Sequence, residues 1–341
     1  MFLKIFQKHA TESASWVREG VTGCSFLRQH EFFVLTVGLG KNLFRQSKLI
    51  SSKICKLRAE MFREYGFMLP EVKICVNKKL KTTGFSIMVR GNCIYDSVSD
   101  SDYAASAICQ QLTKALFQYT EYILTRDTAL KLLKIYAAHS PEARFIMQQY
   151  ESKFNLLSNF HKLLIALLKE HIPIRDIDII AGTLADNDEN TGLNKLIELT
   201  RIRLSLLVTE RAQKRNGRIK AFFLSDRTQE FVDDAVTEKD AQLRMDLPYS
   251  KNKELRQLLN ENLKAKLKAG DSIILVEQQI RRKLYFLIKN ITGIEITVIS
   301  FDEINRQVSP KIDVLGEIDF VLSDREDLSD KEIRLDEFFI H

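Results

Sequence analysis

Proline is scarce in this chain, five in 341 residues, which argues against long structureless linkers. The five cysteines (Cys24, Cys55, Cys75, Cys93, Cys109) are an odd number, with no C-x-x-C pair and no histidine at metal-ligand spacing. That pattern excludes a disulfide framework or a zinc knuckle and predicts free, mostly buried thiols in a reducing compartment. No apolar run approaches the roughly 18 residues a bilayer crossing needs. The opening MFLKIFQKHA is too short and too polar for a signal peptide. The chain as given is expected to be soluble and cytoplasmic.

Signatures of catalysis are equally thin. G-x-S-x-G does not occur, nor any Cys/His pairing with a local signature. The string Gly38-Leu39-Gly40-Lys41-Asn42 invites a phosphate-loop reading, but no glycine stands at the required spacing upstream. Asn42 also replaces the hydroxyl that would meet magnesium. The six histidines are scattered, and His161 and His171 lie at opposite ends of one helix, too far apart to share a metal. Asp186 and Asp188 fall in a polar loop in which neither glycine nor glutamate stands at the sixth and twelfth positions a calcium site needs. The expectation is a non-enzyme with no catalytic, cofactor-binding or metal-binding residues and no cofactor.

What is present is the composition of a globular protein, 45% hydrophobic and 28% charged, at a length that suggests two or three domains. The net charge of +6 is unevenly spread: lysines and arginines crowd residues 41 to 90, while the end of the chain is acidic. The basic stretch lacks the interleaved aromatics of a single-strand nucleic-acid binder.

Apolar periodicity centres on Leu156 to Asp186. Leu156, Leu157, Phe160, Leu163, Leu164, Leu167 and Leu168 recur three and four apart, a helical stripe that Pro173 ends. A second helix follows with Ile174, Ile177, Ile180, Ala181 and Leu184 inward, opened by Arg175 and Asp176. Before this hub the pattern predicts a strand in EFFVLTVGL, a helix from Ser47 to Tyr65 stopped by Gly66, and strands EVKICV and FSIMVRG. A short loop then leads into a long helix over Asp102 to Leu124, and another from Arg126 ends before Pro141. After the hub come an amphipathic helix over Leu193 to Thr209, the strand RIKAFFL, and a helix near Arg227 to Val236. A helix from Asn252 to Ala269 follows, then SIILV, a helix over Gln279 to Asn290, and IEITVIS. This last strand–helix–strand run predicts parallel neighbours.

Several of these segments, in order, resemble the cytoplasmic domain of the export-gate family of type III secretion, the FHIPEP family. It includes the large flagellar export protein and its virulence counterparts. The Leu-rich helix, the break, Ile174-Arg175-Asp176 and the closing Leu184-Ala185-Asp186 carry the likeness. So do EFFVLTVGLGKNL, KICKLRAEMFREYGFMLPEVKI, LTRDTALKLL, LTRIRLSLLV, RIKAFFLSDRTQEFVDDAV, and QQIRRKLYFLIKNITGIEITVISFDEI followed by VLGEI. The likeness spans residues 31 to about 320.

Two departures stand out: the family's membrane half is replaced by thirty residues, and the family's inserted subdomain is largely missing near 91–102. The expected fold is α+β with several subdomains. A leader of unclear structure (1–30) precedes an N-terminal α/β lobe (31–125), an all-helical lobe (126–209) and a C-terminal α/β lobe with an acidic tail (210–341). The resemblance implies a protein-export scaffold on the cytoplasmic face of the bacterial inner membrane. Its partners would be further copies of itself in a ring, usually of nine, with export chaperones, secreted cargo and other export components; no nucleic acid is expected. The alternatives are a nucleic-acid adaptor using residues 41–90, or a truncated paralogue without function. An enzyme whose site assembles from residues distant in sequence stays open as a third class. Arg175, Asp176, Arg281, Arg282 and Glu303 are the candidate interface residues.

Overall fold

A computed structural model describes residues 33–149, 154–188, 191–213, 217–239, 242–266, 273–294 and 296–320. The leader with Cys24 and the acidic tail from residue 321 lie outside the described residues. Contacts divide the chain into two units, Met1–Ala185 and Asp186–His341. The helices after residue 192, counted with the helical lobe on sequence grounds, fall in the second unit.

In the first unit the apolar run forms β1 (Leu35–Leu39), buried along its whole length. A short α1 (Lys41–Phe44) and the long α2 (Ser47–Tyr65) lead to β2 (Val72–Val76), which pairs with β1 in parallel. Then β3 (Gly84–Val89) and β4 (Asn92–Val98) complete an antiparallel hairpin, giving the order β2-β1-β3-β4. The spacing of Ile50, Ile54, Leu57 and Met61 buries one face of α2, as the periodicity predicts. The loop expected after Arg90 is instead β4. Arg90 (φ 49°) and Gly91 (φ 83°) form a two-residue turn of the kind that closes hairpins.

The two glycines that suggest a phosphate loop are needed for packing. A side chain at Gly40 would put its Cβ 2.1 Å from the Lys81 carbonyl oxygen, and one at Gly38 would meet Ser86 Oγ at 2.6 Å. Gly66 is constrained in two ways. It ends α2 in the left-handed conformation (φ 68°), and an added Cβ would lie 2.5 Å from both the nitrogen and Cα of Arg175. The extended segment before residue 177 can therefore pass over it, and the Ile174 N–H donates to the Tyr65 carbonyl at 2.7 Å.

The helix expected over 102–124 is two helices, α3 (Ser101–Gln118) and α4 (Thr120–Ile123). Tyr119 (φ −112°) leaves the helical region, and the Thr120 hydroxyl donates back to the carbonyls of Leu116 and Phe117 at 2.7 and 2.9 Å. Next comes α5 (Arg126–Ala137). Pro141 then starts a further helix, α6 (Pro141–Gln149), at the first position, where a missing N–H costs nothing. The hub is α7 (Phe154–Lys169) and α8 (Ile177–Ala185). Phe160, Leu163, Leu164, Leu167 and Leu168 are wholly buried, with Leu156 and Leu157 half-buried. The second hub helix begins at Ile177, later than expected. Ile174 is buried from an extended stretch, because Pro173 and the left-handed His171 (φ 57°) delay the helix.

In the second unit the helix expected over 193–209 also divides, at Leu204, into α9 (Leu193–Arg203) and α10 (Ser205–Ala212). Then follow β5 (Arg218–Leu224), α11 (Asp226–Ala235), and an unforeseen hairpin of β6 (Val236–Lys239) and β7 (Gln242–Met245). After α12 (Tyr249–Lys266) come β8 (Ile273–Val276), α13 (Gln278–Thr292) and β9 (Val298–Ser300), the expected crossover with parallel strands. A single 3-10 turn, Phe301–Glu303, precedes β10 (Lys311–Ile318). The sheet order β10-β5-β8-β9 is parallel throughout. Phe222, Leu224, Ile274, Val276 and Ile318 pack from this sheet onto Val232, Leu255, Leu259, Leu284 and Ile288 of α11 to α13. The class is the expected one, α+β with several lobes.

Leu164 and Ile177 are both 0% exposed. Leu164→Asp or Ile177→Asp buries an unpaired carboxylate and is expected to abolish cooperative unfolding of the hub. A far-ultraviolet melt like that of the parent would show that these faces do not point into a core.

Candidate functional site

The densest buried charge in the second unit converges on Glu303. The 3-10 turn after β9 points its carboxylate inward, where Oε2 accepts from the Ser300 N–H at 3.4 Å. Arg201, from α9, grips it as a fork: Nε donates to Oε1 and Nη2 to Oε2, both at 2.7 Å. The same Nη2 also donates to the Val298 carbonyl at 3.2 Å. A second guanidinium, Arg281 in the first turn of α13, stands 3.3 Å from Oε1. Arg281 in turn donates from Nε to Glu198 Oε2 at 2.9 Å and from Nη2 to the other oxygen. Glu198 sits one turn before Arg201 on α9, so the charges alternate along Glu198–Arg281–Glu303–Arg201. Arg281 and Glu303 are 0% exposed and Arg201 1%.

A hydroxyl extends this cluster to α10. Thr209 Oγ1 donates to the Glu303 carbonyl at 3.4 Å and accepts from the Asn305 N–H at 2.8 Å, while Asn305 Nδ2 donates to Ser205 Oγ at 3.2 Å. Guanidinium groups do not give up protons in proteins, and the Glu303 carboxylate is met by donors on both oxygens. The arrangement engages the two guanidinium groups and the Glu303 carboxylate with one another and with Glu198. It fixes α9, β9 and α13 against one another.

Two of the residues offered as interface candidates, Arg281 and Glu303, thus lie inside this unit and present no surface to a partner. Arg282 is half-buried on the same helix. Arg175 and Asp176 belong to the first unit, where their side chains are 40% and 38% exposed and 4.0 Å apart. The Asp176 carbonyl accepts the Ile180 N–H at 3.2 Å, so Asp176 stands at the start of α8. Arg201 and Glu198 were not singled out from sequence. Arg201 carried a signal, since it follows Ile197 by four and precedes Leu204 by three, a charge on the apolar phase of its helix.

In the first unit His161 is half-buried and its Nε2 donates to the Leu124 carbonyl at 2.5 Å, which fixes the tautomer with the proton on Nε2. Burial pushes its pKa down, and the nearby Arg126 and Lys162 push the same way against that hydrogen bond. The ring of His171 lies against Phe117, 4.2 Å between centroids. Cys55, Cys75 and Cys109 are half-buried free thiols and Cys93 an exposed one; burial raises the pKa of Cys75 and Cys109. Among the described residues no three His, Cys, Asp or Glu side chains converge as metal ligands. None of the described helices is long and apolar enough to cross a membrane.

Residues 98–309 match the FHIPEP family. The flagellar biosynthesis protein FlhA of Helicobacter pylori is 23% identical over 312 residues, 76% of this chain and 42% of that protein, so the chain spans less than half of that relative. The fold is similar to Chlamydia pneumoniae CdsV in its complex with CdsO, with a TM-score of 0.71, 15% identity, and 84% and 98% of the two chains covered. It is similar also to the nonameric EscV cytosolic domain from the type III secretion system, with a TM-score of 0.68, 18% identity, and 88% and 99% covered.

Arg201→Met leaves the Glu303 charge buried with half its partners and is expected to cost roughly 3–5 kcal/mol in urea unfolding of the second unit. The double variant Arg201→Met/Glu303→Leu is expected to recover much of that loss, and a single variant within about 1 kcal/mol of the parent would contradict the clamp. His161 makes a pH prediction. Because its folded pKa is depressed, its contribution is complete above the unfolded value near 6.5 and is lost as pH falls through the folded value. The melting temperature of the first unit is expected to drop below about pH 6.5, and to drop less in His161→Gln.

Proposed function

The chain belongs to the FHIPEP family, and on that premise we propose that it is a protein-export scaffold. In this reading it is a ring-forming domain of a type III secretion export gate, held at the cytoplasmic face of the inner membrane. There it receives chaperone–cargo complexes and makes or breaks no bond itself. The observation that carries the reading is the likeness to the nonameric EscV cytosolic domain over 88% of this chain and 99% of that one. The complex of the similar CdsV with CdsO supports a further contact, with another export component. The Glu303 clamp fits this role because a receiving surface must keep its shape while partners come and go.

Size-exclusion chromatography with light scattering, followed by imaging, tests the assembly. A closed homo-oligomeric ring is expected, its population rising with protein concentration. A monomer over a roughly hundredfold range of concentration would remove the ring from the proposal.

A further inference from the structure

We propose that the basic end of the first unit docks on an anionic lipid surface. The cations involved come from two stretches that the fold brings together. Lys41, Arg45 and Lys48 lie on α1 and the start of α2, and Lys78, Lys79 and Lys81 lie in the turn between β2 and β3; all six are exposed. Backbone hydrogen bonds hold the stretches side by side: Gly40 N–H to Gly84 at 2.8 Å, Asn42 N–H to Thr82 at 2.9 Å, and Asn77 N–H to Leu39 at 2.8 Å. No Asp or Glu occurs between Phe32 and Ala59, nor between Val72 and Tyr95. Further along α2 the outward face is mixed, with Lys56 and Arg63 beside the exposed Glu60 and Glu64, so the one-signed surface is confined to these two stretches.

Five of these six cations are lysines, compact hydrated charges suited to diffuse attraction, whereas a stereospecific grip on single carboxylates or phosphates favours the arginine fork. The aromatic side chain within the first stretch, Phe44, is half-buried, so these stretches offer no platform for stacked bases. Leu49, 54% exposed beside Lys48, adds an apolar contact at the headgroup boundary. Basic side chains near an anionic bilayer are attracted cumulatively, and six cations on one end make a peripheral electrostatic contact. This inference goes beyond the scaffold reading and stands without it.

The test is flotation of the full chain with phosphatidylcholine vesicles, with and without about one third phosphatidylglycerol. Binding is expected only to the anionic vesicles and is expected to weaken as salt rises. Lys78→Glu/Lys79→Glu/Lys81→Glu should lower the affinity by roughly a hundredfold without changing the melting curve. Lys41→Glu/Lys48→Glu should also weaken binding and serves if the triple variant unfolds. Lys253→Glu in the second unit should leave binding intact. Equal binding to both vesicle types, or variants that bind like the parent, would overturn the proposal. Tighter binding to RNA or to polyglutamate than to the vesicles would overturn it as well, assigning the surface to nucleic acid or to an acidic protein.

Discussion

A carboxylate withdrawn from water costs several kcal/mol unless donors replace the lost hydration, and Glu303 is withdrawn completely. The donors that replace it come from three places in the chain: Arg201 on α9, Arg281 on α13 and the backbone at Ser300. None of these elements can shift without uncovering charge. Apolar contacts alone would tolerate sliding, since dispersion between methyl groups has little directional preference. A forked guanidinium does not tolerate it, because both of its bonds depend on one plane and one distance. The second unit therefore gains from this cluster a defined register between helix and sheet more than net stability. Arg201 extends the effect to the sheet itself by donating to the Val298 carbonyl in the edge strand β9.

The first unit meets the same need with neutral acceptors. Helix ends leave carbonyls without partners, and here side chains distant in sequence supply them. At the end of α4, Arg90 donates to the Tyr122 carbonyl at 2.8 Å and His161 to that of Leu124 at 2.5 Å, and Arg58 donates to the Leu69 carbonyl, in the loop after α2, at 3.3 and 3.1 Å. At Gly66 one backbone passes so close to another that no side chain fits between them, and the left-handed φ there disfavours one again. Buried ion pairs organise one unit, and capped carbonyls with a bare backbone crossing organise the other.

Periodicity made much of this visible in advance. The buried stripes of α2 and α7 and the parallel β8–α13–β9 crossover all follow from apolar spacing. The breaks at Tyr119 and Leu204 did not show, because a one-residue departure from helical geometry leaves the three-and-four pattern nearly in phase on either side. Strand β4 was missed because four of its seven residues are exposed, so it lacks the apolar run that marked β1. The pairing in the charge clamp was beyond reach for a different reason. The apolar phase of its helix marks Arg201 as inward, but Arg201 and Glu303 are separated by 102 positions, and nothing in the spacing says which charge meets which. Arg281 and Glu303 drew notice through resemblance to a family pattern, which marks a position without saying whether it faces inward.

The glycines at 38 and 40 join the fold to the charge distribution. Between residues 41 and 90 there are twelve lysines and arginines against three glutamates, an excess larger than the +6 of the whole chain. Like charges drawn together repel, so a basic end persists only where the backbone beneath it is firmly tied. Gly40 makes that tie possible, since without a side chain it lets the Lys81–Thr82 turn approach and accept hydrogen bonds from α1. A residue with a Cβ at Gly40 would push the turn away and separate the two groups of cations. The string that first suggests a nucleotide loop is therefore better understood as the seam along which two lysine-bearing stretches are joined.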